Sequence, residues 1–174
     1  ENSVSVDLDH LSANNSIGAV IINQGTGNTG VTNMTAAQAA NVTVKGSGAG
    51  VVTFSVKNAS NPGQIDTLKI TVDNGTAGAQ AVTLTGPTMA GVEKLEVTNN
   101  ENLTITTLAN ATALDNVKFS GAGNVVITST GAVDFAANTI FDFSAVTGTV
   151  SFDASAAQSG ATATGLLIKG SSTK

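Results

Sequence analysis

Three acidic residues, Asp66, Glu93 and Asp115, each follow an apolar residue, in Ile65-Asp66, Val92-Glu93 and Leu114-Asp115, at spacings of 27 and 22 residues. Carboxylates that recur in this way are candidates for a hard cation such as Ca2+, which takes oxygen ligands at about 2.3–2.6 Å. If successive turns of the chain bring the three into one column, their like charges destabilise it unless a cation joins them. The plainer reading is a solvated acidic row whose members diverge into water or pair with Lys94 and Lys69. Two further stretches, VDNGT at 72–76 and NNEN at 99–102, carry acid and amide oxygens. They read more simply as turns in which Asp and Asn side chains bond the nearby backbone, although either could supply oxygens to Ca2+. Neither has the ligand spacing of an EF-hand.

Hydrolytic chemistry finds little to work with. The single histidine, His10, lies beside Asp7 and Asp9, and a triad would need a nucleophile and an orienting group delivered to it near a chain end. A solvated or coil-capping histidine is the simpler reading. Carbohydrate-active parallel β-helix enzymes cluster acids with Lys or Arg on one strand face, whereas the acids here lack Arg, His and aromatic platforms around them. The expectation is a protein without catalytic activity.

Composition narrows the partners. The 174 residues are 41% hydrophobic, enough for one sizeable core, yet only 11% are charged, so the surface is built of hydroxyls and amides. Seven lysines, no arginine and a net charge of −5 make nucleic acid an unfavourable partner. Cysteine is absent, which removes disulfides and thiolate metal sites. No apolar run approaches the ~20 residues of a membrane-spanning helix. The start at Glu1, without Met or a signal segment, points to a processed product or a piece of a longer protein.

The elements that must position these residues repeat. A pattern of apolar, polar, apolar recurs every 22 to 27 residues at Val20-Ile22, Val42-Val44, Leu68-Ile70, Leu95-Val97, Val117-Phe119, Phe141-Phe143 and Leu166-Ile168. A second column follows at Val52-Phe54, Val82-Leu84, Leu103-Ile105, Val125-Ile127 and Val150-Phe152. Ile17, Ala39, Ile65, Val92 and Leu114 supply a further apolar position three residues before the first column. Strand side chains alternate with period two, so one member of each trio faces in and the middle one faces out. Repetition at this period is the mark of a solenoid.

The outward letters support the register. Lys69, Glu96, Lys118 and Asp142 would alternate in sign on adjacent coils, and Thr71, Thr98, Ser120 and Ser144 would form a hydroxyl ladder, as would Thr53, Thr83, Thr104 and Ser151. MTAAQAAN, residues 34 to 41, reads as a short helical corner. VKNASNPGQID, residues 56 to 66, reads as an inserted surface loop. The expected fold is an all-β, right-handed parallel β-solenoid of about six to seven coils over residues 1–174, a single domain. An Ig-type antiparallel sandwich is the structural alternative.

The VEKLEV, LTIT, LDNVKF and VVIT texture, clearest over residues 65 to 153 in a Thr/Asn/Gly/Ala-rich chain without Cys or Arg, resembles the β-solenoid regions of bacterial surface-layer (S-layer) proteins of the Caulobacter and Campylobacter type. The resemblance implies a secreted, cell-surface structural segment that self-associates in a lattice or contacts neighbouring segments of its own chain. Cell-surface polysaccharide is a further implied partner, and Ca2+ an implied cofactor, with Asp66, Glu93 and Asp115 as the metal candidates. The chain departs from calcium-loaded members in lacking the GGxGxD nonapeptide. An adhesin or autotransporter-like passenger stalk would use the same solenoid as a spacer. Thr-x-Thr runs raise ice binding, but Val126, Ser151 and Asp153 interrupt the array.

Overall fold

The computed structural model describes residues 3–10, 17–76, 78–128, 135, 138–154 and 166–171, the side chain of His10 excepted. Among the described residues, fourteen short strands and almost no helix form a two-sheet β-solenoid of about six turns. In chain order they are β1 (Val4–Asp7), β2 (Val20–Asn23), β3 (Thr29–Met34), β4 (Val42–Lys45), β5 (Val51–Val56), β6 (Thr67–Val72), β7 (Ala81–Thr88), β8 (Lys94–Asn99), β9 (Asn102–Ile105), β10 (Asn116–Gly121), β11 (Val125–Thr128), β12 (Ile140–Val146), β13 (Val150–Asp153) and β14 (Leu167–Lys169). One sheet runs β1-β3-β5-β7-β9-β11-β13 and the other β14-β12-β10-β8-β6-β4-β2. Every strand pairing among the described residues is parallel, which excludes the antiparallel sandwich.

Alternation makes the core. Leu68, Leu95, Val117 and Phe141 stand in one file across β6, β8, β10 and β12, and Val82, Leu103, Val125 and Val150 in another across β7, β9, β11 and β13. The first file is fully buried, and Val82, Leu103 and Val125 with it. Phenylalanine fills the later coils: Phe119 stacks on Phe143 with ring centroids 5.1 Å apart, and Phe141 lies 4.8 Å from Phe152. Met89, Val92, Leu108, Ala111 and Leu114 plug the wider of the two corners. MTAAQAAN holds one helical turn, α1 (Ala36–Ala39), closed by a capping box in which Thr35 and Gln38 satisfy each other's backbone N–H groups.

The register differs from the expected columns where coil length changes. Val42 faces Ile70, two residues beyond Leu68, because α1 occupies the entry to β4 and Ala39 fills the core position there. Val51 faces Thr85 and Thr53 faces Thr88 across an irregularity, so Val52 does not align with Val82, and Thr53 leaves the hydroxyl ladder of Thr83 and Thr104. Ser120 pairs with Ala145, displacing Ser144 by one at a bulge. Ile168, not Leu166, lies beside Phe141. Ile65 is 64% exposed rather than inward, and Ala59 of the inserted loop is buried. The strand β3 belongs to neither expected column; Gly30 breaks its apolar alternation.

The narrow corner, between β8 and β9 and between β10 and β11, leaves only two or three residues to turn the chain. Backbones there stack so closely that a Cβ on Gly123 would fall 1.9 Å from the carbonyl oxygen of Glu101, and one on Gly48 would fall 1.8 Å from that of Gly25. Glycine is required at both by contact between coils. Gly123→Ala is therefore expected to cost about 1–3 kcal/mol, lowering the melting midpoint by roughly 2–12 °C for a chain of this size. Gly18→Ala, where nothing lies within 4 Å of the added carbon, should leave the midpoint within about 1–2 °C of the parent, since surface changes stay within about 0.5 kcal/mol. Thermal unfolding followed by circular dichroism distinguishes the two.

Candidate functional site

Asp66, Glu93 and Asp115 occupy successive coils just before β6, β8 and β10. Their backbones are in register: Glu93 and Lys94 donate to the carbonyl of Asp66 at 3.2 and 3.0 Å, and Asp115 and Asn116 donate to that of Glu93 at 2.8 and 3.1 Å. Their carboxylates do not form a triad. Glu93 Oε2 accepts the Asp66 backbone N–H at 2.7 Å, which draws the first two together, while Asp115 is exposed to solvent. Among the described residues no three His, Cys, Asp or Glu side chains are grouped so as to hold a metal. Two carboxylates fall short of the six to eight oxygens that Ca2+ takes, so a cation at this pair would draw most of its shell from water.

The pair is nevertheless under electrostatic load. Asp66 Oδ2 is buried and has no hydrogen-bond partner among the described residues. Loss of hydration, and secondarily the Glu93 carboxylate, push the Asp66 carboxyl above its ordinary range.

The outward charges of the second sheet behave differently. Lys69 pairs with Glu96 at 2.9 Å, and Lys118 lies between Glu96 and Asp142 in the strand register. Lys169 extends the row, 3.7 Å from Asp142. The hydroxyl and backbone N–H of Ser144, at 2.6 and 2.9 Å, together with Lys169 and Lys118, hold Asp142 below its usual range. Five residues thus alternate in sign across five strands. Beside them Thr98 and Ser120 place their hydroxyls 3.4 Å apart.

Glu101, which the sequence reading placed only in the local NNEN turn, joins two coils. Glu101 is 2% exposed, and its two carboxylate oxygens accept backbone N–H groups from the coil below, Asn74 at 2.8 Å and Gln80. Between β6 and β7 the chain makes its longest narrow-side excursion, residues 73–80, and Glu101 bridges the two feet of that loop. Asn99, fully buried, donates to the carbonyls of Glu101 and Asn124 at 2.9 Å each. An amide ladder continues outside it: Asn124 Nδ2 donates to Asn102 Oδ1 at 2.8 Å, and Asn124 Oδ1 accepts from the N–H and hydroxyl of Thr149. VDNGT and NNEN make the local turns expected, Asp73 accepting from Gly75 and Asn99 from Glu101. They are also joined to each other across coils. The visible signal was an acid two residues after Asn99 in a corner too short to reach solvent.

At the N-terminal end Asp7 accepts from Asp9 N–H and from Asn33 Nδ2 at 2.8 Å, and Lys57 pairs with Asp9. The side chain of His10 lies outside the described residues. No family model matches the chain, and neither the curated proteins nor the solved structures give a match.

Two expectations follow. Glu101→Ala strands two backbone N–H groups and should destabilise by about 2–4 kcal/mol, while Glu101→Gln, which keeps one acceptor, should cost less. Denaturant unfolding with an unchanged m-value checks this. Glu93→Gln keeps an acceptor for Asp66 N–H and removes the like charge. Because the Asp66 pKa is raised on folding, its contribution is most favourable below the ordinary carboxylate pKa and is lost as pH rises through the raised value. The variant should therefore melt above the parent at pH 7, by about 0.5 kcal/mol or 1–2 °C, and the gain should vanish near pH 3. A gain that is the same at both pH values would contradict the assignment.

Proposed function

We propose that this chain is a structural segment of a secreted bacterial surface-layer protein, acting by repetition and lateral contact in a cell-surface lattice. The observation that supports the reading best is the outward surface itself: in-register rows of hydroxyls and sign-alternating charges, laid on a scaffold whose buried carboxylate, Glu101, is spent entirely on backbone of the adjacent coil. A surface of short hydroxyl rows beside charges of alternating sign offers complementary contacts to identical neighbours. Ca2+ would act here by relieving the Asp66–Glu93 repulsion, with Asp115 at the next coil, and would stabilise coils or join molecules.

Electron microscopy of cells bearing the full-length protein tests the reading. An ordered two-dimensional array is expected; isolated fibres would replace the lattice reading with a stalk. For the ion, millimolar Ca2+ should raise the melting midpoint relative to chelator, since a ligand bound only by the folded state adds about 2.7 kcal/mol at a hundredfold excess over Kd. A rise that persists in Glu93→Gln would move the ion elsewhere, and no rise would remove Ca2+ from this segment.

A further inference from the structure

The outward face of the second sheet carries a row of charges in the middle of the solenoid. From β6 to β12 the row is Lys69, Glu96, Lys118 and Asp142, each beside the next in the strand register. The side chains of Lys69 and Glu96 are 49% and 46% exposed, Lys118 is exposed, and Asp142 is partly buried. Within one chain the alternation gives every charge an opposite neighbour. The same order has a second property: taken backwards, it shows the opposite sign at every step.

A two-fold axis parallel to the strands, placed between β8 and β10, lays this face on its own copy with the strand order reversed. Lys69 then meets Asp142 of the second copy and Glu96 meets Lys118 of the second copy, and symmetry makes each pair occur twice. The hydroxyl row alongside accepts the same placement, because Thr98 meets Ser120 and Thr71 meets Ala145. At the margin Lys94 faces Asn116 of the second copy and comes beside that residue's chain neighbour, Asp115. With the axis moved onto β8 or onto β10, like charges meet instead. The signs therefore select one register.

We propose that the outer face of the second sheet is a contact with a second copy of this chain, the two related by a two-fold axis between β8 and β10. In this placement β4 meets β14 at either side, so six strands of each copy take part. At about 4.8 Å per strand and about 3.3 Å per residue the face covers on the order of 500 Å² per copy, the low end for a specific interface. The contact is isologous and closes as a dimer. The inference deepens the lattice reading, on which it rests for its setting, by specifying one lateral contact.

Zero-length cross-linking tests the register. Within one chain Lys69 and Asp142 lie three strand spacings apart, about 14 Å, too far for a direct amide between the two side chains; across the axis they meet. Carbodiimide treatment at up to about 1 mM chain, where weak contacts become populated, should give a covalent dimer whose peptides carry the Lys69–Asp142 amide. In sedimentation at the same concentrations, Glu96→Lys or Lys118→Glu alone should weaken the dimer about tenfold, since both central pairs change from attraction to repulsion. The two substitutions in one chain restore opposite charges across the axis and should recover the dimer, as should an equal mixture of the single variants. Unchanged circular dichroism verifies folding. A dimer without that amide, single variants that dimerise as the parent does, or a folded double variant that stays apart would each overturn the inference. So would a chain that remains monomeric throughout, and shielding of the row by added cell-surface polysaccharide would then give the face to that partner. Cell-surface arrays that persist in Glu96→Lys would remove this contact and leave the lattice reading intact, whereas dimers in solution without arrays on cells would do the reverse.

Discussion

Parallel strands stack at about 4.8 Å, and each turn of this chain accommodates that spacing. A side chain that faces in must sit on the equivalent side chain of the next coil, which is why Leu68, Leu95, Val117 and Phe141 form one file. A side chain that faces out must tolerate its equivalent as a near neighbour. Hydroxyls do so at no electrostatic cost, and charges do so only by alternating. Where the backbone itself turns, no side chain fits at all, and glycine is obligatory at positions such as Gly48 and Gly123.

The same spacing explains where charge is favourable and where it is not. Lys69, Glu96, Lys118, Asp142 and Lys169 lie on strands in register, so each has an opposite charge beside it. Asp66 and Glu93 lie at a coil entry, where register is equally strict but the signs are alike, and the Asp66 carboxyl is held toward its protonated form. Glu101 resolves a third situation. Its neighbours are not charges but backbone N–H groups that a longer loop has pulled away from the ladder, and a buried carboxylate with two such donors is satisfied without a cation.

Much of this was legible in the letters, and the exceptions share a cause. Residues 94 to 128 repeat at constant coil length, and there the inward apolar residues of the strands, their ladder partners and the Lys118–Glu96 adjacency could be read directly. Insertions broke the reading. α1 delays the start of β4, so the Val42 column slips by two; the loop before β6 carries Ala59 into the core and leaves Ile65 in water. Period-two alternation specifies which face a residue occupies but not which of several equivalent inward positions it pairs with. The acid column was legible as backbone register, whereas side-chain direction at a coil entry is set by local hydrogen bonds such as that from Asp66 N–H to Glu93, which period-two alternation does not encode. Glu101 was hidden for a related reason: its partners, Asn74 and Gln80, are more than twenty residues away and become neighbours only through the coil.

If the ladder between coils holds the molecule together, stability must be graded along its axis, because each coil is supported only by the coils beside it. Native-state hydrogen exchange measures that gradient residue by residue. The account predicts the slowest amides in β8 and β9, where coils are stacked on both sides and the register is unbroken, with protection falling toward β1 and β14. Uniform protection along the chain, or amides of β8 and β9 that exchange as fast as those of the end strands, would contradict it.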